Sequence, residues 1–222
     1  NPKHEQKNTE RIKKNWPEFS VVASHQITRE WREYERSTTT ALAAYVLPKT
    51  KQYLNKLSSA LKQNDFSGRA YAMQSNGGID SFEAAGSRAI TMVESGPASG
   101  VLGAEMLGRQ LELGSMITLD IGGTTAKCSL LQNGKVQITT DYAIERTRQY
   151  SGYPIMAPTV DLVEIGNGGG SIAWIDDDGQ LHVGPKSAGA SPGPIAYGLG
   201  GTEPTTTDAN LILGRIDADY FC

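Results

Sequence analysis

The chain has 222 residues, 38% hydrophobic and 20% charged, which describes an ordinary globular protein long enough to bury a large core. The net charge of −3 gives no support for a nucleic-acid partner, and no apolar run approaches the length of a membrane span. Two distant cysteines and a polar start unlike a signal peptide lead us to expect a cytoplasmic protein with no membrane partner.

Residues 1–68 are rich in charge and helix formers, and we predict a mainly helical segment there. The apolar run at residues 21–23 predicts a short strand. Between residues 28 and 62 the apolar side chains recur at helical spacing, and Pro48 is expected to break or kink that helix.

The next part of the chain predicts a strand, a turn and a helix. Residues 70–73 read as a strand that ends in a turn at residues 75–78. Glu94 and the three residues after it open a predicted helix, ASGVLGAEMLGRQLEL, whose small side chains would let another element approach closely.

A tight hairpin is predicted at residues 116–131, with an acid, two glycines and two threonines at its bend. The first strand reaches Asp120, and the bend carries Gly122, Gly123, Thr124 and Thr125. Glycines let backbone N–H groups converge on an anion, and the threonine hydroxyls add donors. The pattern therefore favours a phosphate-binding loop, with an ordinary hairpin and glycine bulge as the alternative.

Asp120 would repel a bare phosphate, so the pattern indicates Mg²⁺ between the carboxylate and the phosphate oxygens. Lys127 would complete the charge balance. The chain has no GxxxxGK[ST] P-loop, and its glycines lie at a strand-to-strand turn rather than a Rossmann strand-to-helix junction.

The order of the helix and the hairpin resembles the second lobe of the actin-like ATPase fold, which sugar kinases, actin and the heat-shock chaperone ATPases share. In that lobe a glycine-rich hairpin holds the β- and γ-phosphates of ATP. The resemblance implies an α/β fold, with an actin-like ATPase (ribonuclease H-like) lobe over residues 69–222 that follows the helical segment 1–68.

Several motifs resemble the hydantoinase A/5-oxoprolinase family. They are REYERSTTTALAAYVLP, QSNGG, ESGPASGVLGA, IGNGGGSIAWIDDDGQLHVGPKSAGASPGP and YGLGGTEPTTTDANLILGR, in the family's order. The resemblance runs from about residue 4 to residue 221. Family members are several times longer and begin with another phosphate loop, so we expect a central fragment that is inactive in isolation.

The resemblance implies an ATP-dependent hydrolase that opens cyclic amides such as 5-oxoproline or hydantoins. ATP would phosphorylate the ring amide oxygen, and Mg²⁺ or another divalent metal would bridge the phosphates. A second subunit of the hydantoinase B type, or its fused equivalent, is the expected partner. Two alternatives stay open: a carboxylase subunit or small-molecule kinase on the same fold, and a nucleotide-binding or assembly module without chemistry.

The resemblance also assigns site residues beyond the hairpin. Gly168, Gly169, Gly170 and Ser171 match the family's GGGS and are expected to approach the nucleotide or substrate, with a sharp turn as the alternative. Asp208 is expected to be a metal ligand or acid/base group, and a helix cap explains it equally well. Asp120 is expected to be catalytic and to bind the metal.

Four residues at three sites depart from the family pattern. Asn167 stands where many members have Ala, and Ile195-Ala196 where many have Ala-Cys. Lys127 replaces the Asp of another branch, which argues against a metal ligand there and suits a phosphate contact. The departures leave ATP binding in place and put the identity of the substrate in question.

Overall fold

The structure is a computed structural model that describes residues 2–146 and 149–221. Its packing divides the chain into two compact units. Unit 1 comprises Asn1–Leu111 and Lys135–Asp161, and unit 2 comprises Glu112–Gly134 and Leu162–Cys222. The predicted lobe over residues 69–222 stays a prediction. No helix among the described residues is both long and apolar enough to cross a bilayer.

Unit 1 begins with three helices, α1 (Lys3–Asn15), α2 (Ser24–Ile27) and α3 (Glu33–Gln63). Helices therefore make up most of residues 3–63, and the predicted boundary at residue 68 stays a prediction. The strand predicted at residues 21–23 is wrong, because this segment is irregular and leads into α2. Ala23 closes the first turn of α2, since its carbonyl accepts a hydrogen bond from the Gln26 N–H at 3.0 Å.

Pro48 lies inside α3, and the helix continues through it without a break. An internal proline costs about 3 kcal/mol, because it removes one helical hydrogen bond and its ring crowds the preceding turn. The helix is buried on both sides of Pro48, at Ala43 and at Leu54. Burial of these side chains offsets the cost, so tertiary packing overrides the local signal.

The middle of unit 1 contains a small antiparallel ribbon followed by helices. The elements are β1 (Tyr71–Met73), β2 (Ile79–Ser81), α4 (Phe82–Ser87), a 3₁₀ turn (Ala89–Met92) and α5 (Ser95–Gln110). The strand, the turn and the long helix predicted here are confirmed. Gly77 has φ of 82° in the turn, a conformation that favours glycine.

The remainder of unit 1 adds two short antiparallel pairs. These are β5 (Ile138–Thr139) with β8 (Thr159–Val160), and β6 (Tyr142–Ile144) with β7 (Tyr153–Ile155). Buried apolar side chains of α3 and its neighbours form two clusters, Ala43, Ile90, Ile155 and Ala157 in one and Leu54, Ala72 and Ala85 in the other. Unit 1 is therefore organised around the long helix α3.

Unit 2 is built on a three-stranded antiparallel sheet in the order β3 (Met116–Ile121), β4 (Ala126–Leu131) and β9 (Val163–Ile165). The predicted hairpin is confirmed as β3 and β4, joined by residues 122–125. Side chains alternate between the two faces of a strand, so Asp120 lies on one face and its neighbours Leu119 and Ile121 on the other.

The rest of unit 2 surrounds a second hairpin. Its elements are β10 (Ser171–Ile175), β11 (Leu181–Ser187), a 3₁₀ turn (Ile195–Tyr197), α6 (Thr206–Ile212) and a second 3₁₀ turn (Ala218–Tyr220). Ile172 forms a β-bridge with Thr205, the residue that caps α6. This bridge brings the start of α6 next to the glycines that precede β10.

Candidate functional site

The bend between β3 and β4 is a four-residue loop, which we call the hairpin loop (residues 122–125). The Gly122 N–H donates to the Thr125 carbonyl at 2.9 Å and closes the loop. The N–H groups of Gly123, Thr124 and Thr125 have no acceptor within the described part of the chain. Successive backbone N–H groups without an internal acceptor are typical of an anion site.

Asp120 lies two residues before the hairpin loop and is exposed. In the sheet it stands opposite Lys127, which stands opposite Glu164 on β9. Opposite residues of antiparallel strands share a face, so an acid, a base and an acid form one row. The Lys127 Nζ lies 4.0 Å from Glu164 Oε1. Sequence reasoning misses Glu164, because no local pattern shows that β9 pairs with β4.

The glycine segment, residues 168–171, lies directly against the hairpin loop. The Gly169 N–H donates to the Gly122 carbonyl at 2.9 Å, and the Gly170 N–H donates to the Gly123 carbonyl at 2.6 Å. A Cβ atom at Gly168 would lie 2.6 Å from the Gly122 carbonyl oxygen, so only glycine allows this approach. The structure thus brings the two predicted loops together.

All four N–H groups of the glycine segment are used inside the protein. Besides the two bonds to the hairpin loop, the Gly168 N–H donates to Ser171 Oγ at 2.8 Å and the Ser171 N–H donates to the Gly168 carbonyl at 3.1 Å. These contacts favour the sharp turn that the sequence left as the alternative. A direct contact of this segment with nucleotide stays a prediction.

The first turn of α6 holds the glycine segment from the other side. Thr207 donates twice to the Gly169 carbonyl, from its backbone N–H and from Oγ1, each at 2.8 Å. Thr207 is 7% exposed. Sequence reasoning misses this contact. The threonine run before Asp208 indicates the start of a helix, but it does not indicate that Thr207 contacts Gly169, which lies 38 residues earlier in the chain.

Asp208 is the third residue of α6 and completes a capping box with Thr205, so it stabilises the helix start from inside the helix rather than from the position before it. Its carboxylate accepts hydrogen bonds from the Ala196 N–H at 2.7 Å, from the Thr205 N–H at 2.7 Å and from Thr205 Oγ1 at 2.8 Å. Burial raises the pKa of Asp208, but these hydrogen bonds lower it more, so the pKa lies below the ordinary value. The contacts favour the cap, and a catalytic or metal-binding role for Asp208 stays a prediction.

The described residues contain no group of three or more His, Cys, Asp or Glu side chains that could hold a metal ion. Mg²⁺ bound together with nucleotide phosphates does not need such a cluster, because one or two carboxylates, water and phosphate oxygens complete its shell. Asp120 is an exposed carboxylate two residues before a loop with available N–H donors. The residues present are therefore compatible with a Mg²⁺ ion that is bound jointly by Asp120 and by phosphate oxygens.

Comparisons with known proteins define the class to which this fold and site belong. The chain is 36% identical to caprolactamase subunit alpha of Pseudomonas jessenii over 97% of its own length and 30% of the relative's. It matches the structure of this ATP-dependent caprolactamase with a TM-score of 0.71, over 98% of the chain and 30% of that structure. A nucleotide-free structure of acetone carboxylase, which acts in ATP-dependent acetone carboxylation, matches with a TM-score of 0.81 and 28% identity, over 100% of the chain and 31% of that structure.

The sequence comparison also identifies the family. The profile of the Hydantoinase/oxoprolinase family matches residues 36–222, so the chain belongs to that family. An uncharacterized protein of Methanocaldococcus jannaschii is 43% identical over 97% of this chain and 33% of its own length. The chain thus spans about a third of the length of each of these relatives. The predicted fold class, α/β of the actin-like ATPase type, is confirmed, and related proteins are ATP-dependent enzymes.

Proposed function

We propose that the chain supplies the phosphate-binding hairpin of an ATP-dependent hydrolase that opens cyclic amides. The observation that carries the proposal is the hairpin loop. Its three N–H groups without an acceptor follow the exposed Asp120, and the glycine segment fixes its shape. The similarity to caprolactamase, an enzyme named for a cyclic amide, supports the substrate class.

Each group of the site has a distinct task in the proposed reaction. The N–H groups of Gly123, Thr124 and Thr125 bind phosphate oxygens, and the threonine hydroxyls are additional donors. Asp120 binds Mg²⁺ through its carboxylate, and Lys127 offsets negative charge of the phosphates. Placement and charge neutralisation supply most of the catalysis in phosphoryl transfer, so these tasks suit backbone donors and one carboxylate.

Bound Mg-ATP would transfer its γ-phosphoryl group to the ring amide oxygen, with ADP as the leaving group. Water would then add to the activated amide carbon, and the ring nitrogen would leave with a proton. Hydrolysis of the resulting acyl phosphate by a second water would release inorganic phosphate and the free carboxylate. An amide without such activation is a poor electrophile. The protein's own residues bind and orient the phosphates, and no described contact assigns the position of the amide.

A carboxylase subunit is the second candidate function, and the similarity to acetone carboxylase favours it. Both reactions use ATP to activate a carbonyl-type oxygen, so the same hairpin serves either. A partner subunit belongs to both proposals, because the similar caprolactamase chain is named as a subunit. We also propose a cytoplasmic location, from the cysteine content.

The test is phosphate release from Mg-ATP by the full-length protein, with and without caprolactam, 5-oxoproline or hydantoin, alongside detection of the ring-opened product. Stimulated release with matching ring opening is the expected result, and Asp120→Asn should reduce it by at least about 100-fold. Asp177→Asn is the matched control, because Asp177 is exposed on the β10–β11 turn. Phosphate transfer to a ketone with uptake of bicarbonate would instead assign the carboxylase.

A further inference from the structure

Thr207 and Gly169 form a contact that the proposed function does not use. The Gly169 carbonyl accepts two hydrogen bonds, both from Thr207 and both at 2.8 Å. Thr207 is almost fully buried, so water does not compete for its hydroxyl. A carbonyl with two donors is strongly polarised, and it is also fixed in direction.

This carbonyl belongs to the peptide group that also carries the Gly170 N–H. That N–H donates to the Gly123 carbonyl at 2.6 Å. The Gly123 carbonyl, in turn, belongs to the peptide group that carries the Thr124 N–H, which has no acceptor among the residues described. Two peptide groups are therefore linked in series between Thr207 and an available donor of the hairpin loop.

We propose that Thr207 is a positioning residue for the phosphate site, acting on the Thr124 N–H through these two peptide groups. Hydrogen bonds in series polarise one another, so the hydroxyl of Thr207 strengthens the Thr124 N–H as a donor and fixes its direction. The inference rests on the proposed phosphate-binding function of the hairpin loop. It assigns the glycine segment the task of transmitting this effect rather than contacting nucleotide.

The neighbouring threonine provides a matched control. Thr206 lies in the same turn of α6, and its Oγ1 is buried without a hydrogen-bond partner among the described residues. Thr206→Val and Thr207→Val make the same chemical change one residue apart. Only the second removes a hydrogen bond to the glycine segment, so the pair separates the hydroxyl's effect from a general effect on the helix.

The first experiment measures steady-state phosphate release from Mg-ATP by the full-length protein. We expect Thr207→Val to lower kcat by about 10-fold with less than about a threefold change in the KM for ATP, the size typical of a residue that orients a site. Thr207→Ser keeps the hydroxyl and should restore most of the rate, whereas Thr206→Val should match the wild type.

The second measurement does not depend on turnover. In protein labelled with ¹⁵N-threonine, the Thr124 amide proton resonance should move upfield in Thr207→Val and stay in place in Thr206→Val, because a less polarised N–H is more shielded. Should Thr207→Val not fold, Thr207→Ala compared with Thr207→Ser makes the same test of the hydroxyl. Equal rates and equal Thr124 shifts in the hydroxyl-deleted and control variants would overturn the inference.

The two proposals fail in different ways. Wild-type protein that neither binds nor hydrolyses Mg-ATP under any condition refutes the proposed function. Wild-type protein that is active while Thr207→Val is equally active, with an unmoved Thr124 resonance, leaves that function in place and refutes the role of Thr207 alone.

Discussion

The two units bury different kinds of groups around their central elements. In unit 1 the buried side chains packed around α3 are mostly apolar, with the hydrogen-bonded Thr39 as an exception. In unit 2 the buried residues in and next to the glycine segment are mostly polar. The latter are Ser171, Ile172, Thr205, Thr207 and Asp208. Apolar contacts have no preferred direction, whereas hydrogen bonds set both distance and angle. The difference teaches that hydrogen bonds, rather than bulk packing, hold the backbone donors of the hairpin loop in place.

Ile90→Ala tests the apolar side of this comparison and should have the largest effect. Ile90 is 2% exposed in the cluster beside α3, and a cavity there should lower the free energy of unfolding by about 4 kcal/mol. The loss should be the same at pH 4 and pH 7, because no titrating group is involved. Urea unfolding measures it, with the exposed Ile79→Ala on β2 as the control. Equal losses in both variants would contradict the importance of this cluster.

Gly168→Ala tests the close approach of the glycine segment to the hairpin loop. The added Cβ would meet three backbone atoms within 2.8 Å, and backbone cannot rotate away as a flexible side chain does. We expect a loss of about 3 kcal/mol in the free energy of unfolding. A Cβ at Gly123 would meet nothing within 4 Å, so Gly123→Ala should change the unfolding free energy by less than about 0.5 kcal/mol. Tolerance of alanine at Gly168 would show that the two loops are less closely packed.

Asp208→Asn tests the polar side of the comparison through pH. The side-chain amide of Asn would place an N–H group against a backbone N–H donor. We therefore expect the free energy of unfolding to fall by about 2 kcal/mol at pH 7. The folded-state pKa of Asp208 is lowered, so its contribution is complete above the unfolded pKa of about 3.9 and is lost as the pH falls through the folded value.

The difference in the free energy of unfolding between wild type and Asp208→Asn should therefore shrink below pH 4. Urea unfolding between pH 2 and pH 7 measures this difference. The exposed Asp177→Asn should show no difference from wild type at any pH. A gap that stays constant across the range would mean that the charge of Asp208 does not support the cap.

The comparison also explains what the sequence predicts well. The hairpin of β3 and β4 is signalled locally, by apolar strands on either side of two glycines, and its bend lies where the pattern predicts. The helix α5 is signalled by the helix formers Ala104, Glu105 and Met106 that follow its small residues. Such elements depend on neighbours in sequence, so their existence follows from composition and spacing.

The parts that escape prediction depend on distant partners. Thr207 contacts Gly169 across 38 residues, and Glu164 joins the row of Asp120 and Lys127 only through the pairing of β9. Pro48 signals a break that tertiary packing of α3 overrides. The local pattern locates the hairpin loop, but it could not show that the glycine segment donates two of its N–H groups to that loop.

Glu5→Gln should have the smallest effect and tests whether a polar contact in unit 1 is local. Glu5 on α1 accepts hydrogen bonds from Ser24 Oγ at 2.7 Å and the His25 N–H at 3.0 Å, and Arg36 Nη2 lies 3.3 Å away. The His25 N–H is the largest cause that lowers the pKa of Glu5 to about 2. The ionised Glu5 therefore contributes its full stabilisation above the unfolded pKa of about 4.3, and this stabilisation is lost as the pH falls toward 2.

We expect Glu5→Gln at pH 7 to speed proteolysis and hydrogen exchange within α1 while leaving the urea midpoint of unit 1 nearly unchanged. The reason is that α1 buries no side chain of its own, so its attachment depends on contacts such as these. Glu10→Gln, an exposed change on the same helix, should leave α1 as protected as in wild type. If Glu5→Gln instead lowered global stability as much as Ile90→Ala, unit 1 would depend on directional polar contacts as unit 2 does, and the contrast between the units would not hold.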